Sequence, residues 1–123
     1  MAMIEIKSVT KSYSELQVLK GITAEVQKGE VVCLIGPSGS GKSTMLRCLN
    51  GLETYQGGEI LIVGRRVDAR LRSIRDIRTR MAMVFQRFNL FPHRTAPENV
   101  IEGPVHVKGE KLAAARQYGE HLL

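Results

Sequence analysis

The stretch Gly36-Pro37-Ser38-Gly39-Ser40-Gly41-Lys42-Ser43-Thr44 constrains this chain more than any other. It fits G-x-x-x-x-G-K-[ST], the phosphate-binding P-loop pattern, which needs a strand before it and a helix after it. The apolar, partly β-branched run Val31-Val32-Cys33-Leu34-Ile35 predicts a buried strand. Met45-Leu46-Arg47-Cys48-Leu49 predicts a helix beginning near Lys42 and ending at Asn50-Gly51, where glycine supplies the left-handed C-terminal position.

Glycines at 36, 39 and 41 let the backbone curl so that successive N–H groups point at phosphate oxygens. The helix start adds unpaired N–H groups and the positive end of its dipole. Lys42 can reach β- and γ-phosphates as a point charge, and the Ser43 hydroxyl can ligate Mg²⁺. Gly/Ser-rich turns before helices are common, but the fixed Gly-Lys-Ser spacing behind an apolar run selects the nucleotide-phosphate reading.

At 123 residues the chain has room for one domain, small for a complete P-loop ATPase. A hydrophobic content of 43% and a charged content of 24% are those of an ordinary globular protein. No apolar run approaches the roughly 20 residues that span a bilayer. Met1-Ala2-Met3-Ile4-Glu5 lacks the layout of a signal peptide, so a membrane role is expected to be peripheral. Cys33 and Cys48, in the elements flanking the loop, are expected to be buried core residues of a reduced cytosolic protein. His93, His106 and His121 are scattered without metal-ligand spacing.

The net charge of +6 is concentrated at Arg65, Arg66, Arg70, Arg72, Arg75, Arg78 and Arg80. Leu71, Ile74, Ile77 and Met81 recur there at helical spacing, predicting a short amphipathic helix with a basic outer face. Such a face is usually solvated or docked on a protein or anionic surface, and no interleaved aromatics offer base stacking. The pattern argues against a nucleic-acid partner.

In chain order, Met3 to Val9 alternates as a strand, Thr10 to Glu15 is a polar turn, and Val18 to Val26 alternates again. Ile22, Ala24 and Val26 should face one way, and Gln27 to Glu30 turns the chain into the loop strand. Gln56-Gly57-Gly58 is a turn before a strand over Glu59 to Val63. After the basic helix, Met81 to Phe85 predicts a short buried strand that ends in Gln86. Phe88, Leu90, Phe91 and Pro92 form an aromatic loop, read as a docking surface with a loop folded on its own core as the alternative. A helix is expected from Pro97-Glu98-Asn99-Val100, broken at Gly103-Pro104, and a final amphipathic helix over Lys111 to Leu123.

These pieces together resemble the ATP-binding subunit of an ABC transporter, closest in pattern to subunits of bacterial polar amino acid importers. Tyr13, in Lys11-Ser12-Tyr13, resembles the aromatic that stacks on adenine. Residues 36–44 are similar to the family's P-loop, and Gln86 resembles the Q-loop glutamine that approaches Mg²⁺ and the attacking water. Phe88 to His93 and Glu98-Asn99-Val100 resemble the loop and helix that dock on the transmembrane permease. The resemblance implies ATP and Mg²⁺ as ligands, a homodimer in the full-length protein, and a cytoplasmic, peripheral location on the inner membrane face. It also implies an α/β fold: an N-terminal antiparallel β region (1–30), the strand, P-loop and helix (31–51), a β region and basic helix to the Q-loop (52–86), and the start of a helical subdomain (87–123).

The resemblance covers the N-terminal half of that fold. The only Gly-Gly pair, Gly57-Gly58, precedes Glu59 rather than completing a Ser-Gly-Gly-Gln signature. No apolar strand ends in a carboxylate pair, and no histidine takes the switch position. No residue can therefore be named as the base that activates water. The loop strand would lack its neighbours, exposing an edge prone to aggregation. These residues are expected to bind Mg-ATP weakly at best and not to hydrolyse it. Three readings are compatible with the sequence: part of an importer ATPase, a non-catalytic nucleotide- or partner-binding remnant, and a P-loop protein whose basic face meets nucleic acid. A native mass near 13.7 kDa would favour the remnant, and one about twice that the importer ATPase.

Overall fold

The computed structural model describes residues 2–123. These fall into two compact units, one running through Met81 and the other Ala82–Leu123.

In the first unit, alternating residues build two long strands, β1 (Ala2–Tyr13) and β2 (Leu16–Gln27). They pair antiparallel from Ala2↔Gln27 to Tyr13↔Leu16, so the turn is only Ser14-Glu15, with Ser14 at φ +52°. The polar run expected to be a turn over Thr10 to Glu15 instead continues β1 through Tyr13. Backbone pairing and a bulge between Lys11 and Ser12 hold residues that propensity alone assigns to a loop. β3 (Gly57–Ile62) pairs antiparallel with β1, and the short β4 (Arg65–Arg66) pairs with β3, giving the order β2-β1-β3-β4.

One face of this sheet carries Ile6, Val9, Leu19, Ile60 and Ile62 into a core with Met45 and Cys48 of α1 (Lys42–Leu49) and Ile74 and Ile77 of α2 (Ile74–Arg80). Period 2 in the strands, reset by the irregularity between Ile6 and Val9 where Ser8 takes φ +48°, meets period 3.6 in the helices. The Tyr55 hydroxyl donates to the Val67 carbonyl at 2.6 Å and so closes the core's polar edge. Leu71, expected on the buried stripe of the basic helix, lies before α2 and is about half exposed.

Several expectations are corrected here. Residues 31–35 form no strand, and Val31 and Ile35 are more than nine-tenths exposed, at 92% and 94%. Residues 81–85 likewise form no strand, and Val84 is 95% exposed. Among the described residues no strand pairs with either run, and a strand without a ladder has no partner for its backbone groups. For the same reason Cys33 is exposed, whereas Cys48 is buried as expected. Ile22, Ala24 and Val26 keep their two-residue spacing, but their face has little covering: Ile22 and Ala24 are exposed and Val26 is half-buried.

The second unit is helical. α3 (Ala96–Glu102) starts with a capping box: the Thr95 hydroxyl accepts from Glu98 N–H and the Glu98 carboxylate accepts from Thr95 N–H. Gly103-Pro104 does not break the helix; the chain continues as a π-helical turn, Gly103–Val107. Pro104 lacks the N–H that would bond back to the preceding turn of an uninterrupted α-helix, and the wider turn accommodates that missing bond. α4 (Leu112–Leu122) lies close against α3 at Gly119, where a Cβ would stand 3.1 Å from Ile101 Cγ2.

Candidate functional site

The loop over residues 36–41 closes around the side chain that follows it. Lys42 Nζ donates to the Gly36 carbonyl (2.7 Å), the Pro37 carbonyl (2.7 Å) and Ser40 Oγ (3.2 Å). Ser40 N–H donates to the Pro37 carbonyl, forming a tight turn. Gly39 and Gly41 take φ of +80° and +93°, and Gly36 keeps an ordinary φ. Pro37, Ser38, Gly39 and Ser40 are exposed, as is Ser43, with Thr44 half-buried.

Gly41 stands at the N-terminal cap of α1 with no side-chain cap and no acidic residue in the first turn. The first N–H groups of the helix, its positive dipole end and an ammonium therefore share one exposed surface, the arrangement that suits an oxyanion. Ser43 brings one hydroxyl to the same turn. That donor set fits a Mg²⁺ held mainly by phosphate oxygens and water, not a metal cage made of protein. Among the described residues no group of three or more His, Cys, Asp or Glu could hold a metal.

β2 supplies the wall beside the loop. A shallow concavity of about 460 Å³ is lined by Leu16, Gln17, Val18, Lys20, Ile22, Gly39 and Ser40. Tyr13 is the register partner of Leu16 at the hairpin tip and is 43% exposed. The structure thus gathers Tyr13 and residues 36–44 within one unit. A second concavity, about 410 Å³ and lined by residues such as Tyr55, Arg66 and Arg70, contains no residue of the loop.

Gln86 belongs to the second unit, in an exposed segment without regular structure. Phe88 is 92% exposed and Phe91 44%. Phe91 is held in place by Asn99, whose Oδ1 accepts from Phe91 N–H (2.8 Å) and whose Nδ2 donates to the carbonyls of Phe91, Arg94 and Thr95. Arg94 lies over the Phe91 ring and pairs with Glu102. The sequence reading missed this brace; an asparagine four residues after the helix cap, able to reach back to its own loop, is the signal that marks it.

It also missed Arg78. Its guanidinium donates to the Asn50 carbonyl (3.1 Å) and the Gly51 carbonyl (2.8 Å), so one member of the basic cluster closes the C-terminal end of α1. Arg70 pairs with Asp68 through its side chain and backbone, and its guanidinium is the main cause holding the Asp68 carboxyl down to about 2. Burial pushes the Cys48 thiol up, away from reactivity.

A glycine loop folded on a lysine at the start of a helix is the P-loop arrangement, here without the strand that precedes it in the motif's full context. The family model described as ABC transporter matches residues 19–122, and the chain belongs to that family. It is 50% identical to the arginine transport ATP-binding protein ArgV of Corynebacterium glutamicum, over 98% of this chain and 52% of that protein. It is 47% identical to the glutamine transport ATP-binding protein GlnQ of Escherichia coli, over 98% of this chain and 50% of that protein. Its fold matches the dimeric post-hydrolysis structure of the ATP-binding cassette MJ0796 bound to ADP and Pi, with a TM-score of 0.86 and 32% identity over 97% of this chain and 55% of that one. The chain therefore spans about half the length of the curated relatives it matches. The fold is that of a partial ABC ATPase, its antiparallel region present. No helix among the described residues is long and apolar enough to cross a membrane.

Proposed function

We propose that this chain is the nucleotide-binding part of an ABC importer for polar amino acids. The observation that carries the proposal is the loop closed on Lys42, whose ammonium rests on two carbonyls and a hydroxyl that a phosphate would displace. In this reading Gly36, Pro37, Ser38, Gly39, Ser40, Gly41, Lys42, Ser43 and Thr44 cradle the phosphates of ATP. Lys42 would neutralise the β- and γ-oxygens, and the Ser43 hydroxyl would help hold a Mg²⁺ ion, which would supply positive charge to the phosphates. Tyr13 would stack on the adenine, and Gln86 keeps the Q-loop glutamine role that the family resemblance implies. The arginine, glutamine and cystine names among the relatives support the substrate class.

Hydrolysis and transport belong to the whole protein. The exposed Phe88 to His93 segment would dock on a permease at the inner face of the cell membrane, and a second copy would close the site. Calorimetric titration of the chain with Mg-ATP tests the phosphate site. Weak saturable binding, lost in Lys42→Ala with the fold retained, is the expected result; equal binding by both proteins would refute it.

A further inference from the structure

We propose that Lys11 and Glu53 form a positioning pair that fixes the Tyr13 ring for stacking on a nucleobase, an inference that rests on the nucleotide-binding reading above. Lys11 and Tyr13 are two residues apart on β1, and their side chains meet, with the Lys11 ammonium over the Tyr13 ring. Lysines are seldom buried without a partner, yet Lys11 is only 4% exposed. Its Nζ lies 3.1 Å from Glu53 Oε1, 3.4 Å from Thr54 Oγ1 and 4.7 Å from the centroid of the Tyr13 ring. The ammonium covers part of the ring, and the rest of Tyr13 stays open. The Lys11 ammonium first, and then the Tyr13 hydroxyl, holds the Glu53 carboxyl below its usual range.

Glu53 is itself anchored. Its N–H donates to the Arg47 carbonyl (3.1 Å) in the last turn of α1. Gln56 clamps the neighbouring strand, accepting from Ser12 N–H (2.9 Å) and donating to the Ser12 carbonyl (3.1 Å). The helix that begins at the phosphate loop is thus connected through Glu53 to the ring at the hairpin tip. The pair fixes the base-contacting end of the site relative to its phosphate-contacting end.

Binding of ATP and of inorganic tripolyphosphate to the chain separates these two ends. The double variant Lys11→Met/Glu53→Gln removes both charges, leaving neither unpaired. It is expected to lower ATP affinity roughly tenfold, the scale of one base–aromatic stacking contact, and to leave tripolyphosphate affinity within about twofold. Lys11→Arg, which keeps the charge over the ring, should retain the preference for ATP. If the double variant loses the circular dichroism of the parent, Glu53→Gln carries the same comparison. A parallel loss for both probes, or no loss for ATP, would overturn the proposal. A ligand-free readout keeps the two readings apart: upfield ring-current shifts of the Lys11 methylenes, lost in Tyr13→Ala. Their absence would overturn the positioning pair. Their presence in a chain that binds neither probe would overturn the nucleotide reading and the pair's proposed purpose with it.

Discussion

Replacing Gly41 by alanine should cost this fold more than the same change two residues earlier. Gly41 sits at φ +93° where the loop enters α1, and Gly39 at φ +80° within the loop. An L-residue in the left-handed region costs about 1–2 kcal/mol, a term common to both sites. The gain from a less flexible unfolded chain is also common to both and cancels in the comparison. What differs is space. A Cβ at Gly41 would lie 2.9 Å from Val18 Cγ1, 3.1 Å from Leu19 Cδ2 and 3.3 Å from the Val18 carbonyl oxygen, whereas one at Gly39 meets no atom within 4 Å. Crowding a packed site adds about 1–2 kcal/mol at Gly41 alone. With a urea slope of about 1–3 kcal/mol per molar, the Gly41→Ala midpoint should fall below that of Gly39→Ala by roughly 0.3–2 M. Coincident midpoints would refute the claim that β2 packs directly against the loop's last glycine.

Arg78→Ala leaves the Asn50 and Gly51 carbonyls without their guanidinium and should cost about 1–2 kcal/mol in chemical denaturation, with Arg78→Lys recovering part of it. Ile60→Ala, in the fully buried centre of the sheet face, should cost about 2–5 kcal/mol by the same measurement. Asp68 titrates at about 2 because of Arg70, below its ordinary value of 3.8. A depressed carboxyl contributes stability above its unfolded pKa and loses it as pH falls, so denaturation midpoints should drop between about pH 4 and pH 2, and Asp68→Asn should flatten that limb.

Local patterns in this chain were legible where the partners were local. The hairpin of β1 and β2, the glycine loop and the helix to Asn50 are each built from one continuous stretch of chain, and each forms. The buried strands expected at Val31 to Ile35 and Met81 to Phe85 do not form, because an apolar run becomes a strand only when another strand pairs with it. Cys33 follows its run into solvent while Cys48, on a helix that packs on the sheet, stays buried. Thr10 to Tyr13 looked like a turn because their hydroxyls and charges favour loops, yet the pairing with Gln17, Leu19 and Lys20 keeps them in β1. The Lys11–Glu53 pair and the Arg78 contacts join residues more than twenty-five positions apart, and no periodicity within either segment encodes them.

The most direct test of the phosphate site is the change in backbone amide resonances when Mg-ATP is added to the isotopically labelled chain. The largest shifts are expected at Gly39, Gly41, Lys42, Ser43 and Thr44, with a second group near Tyr13, all absent in Lys42→Ala. Shifts centred instead on the concavity around Tyr55 and Arg70, or a loop that does not respond to nucleotide, would contradict the assignment.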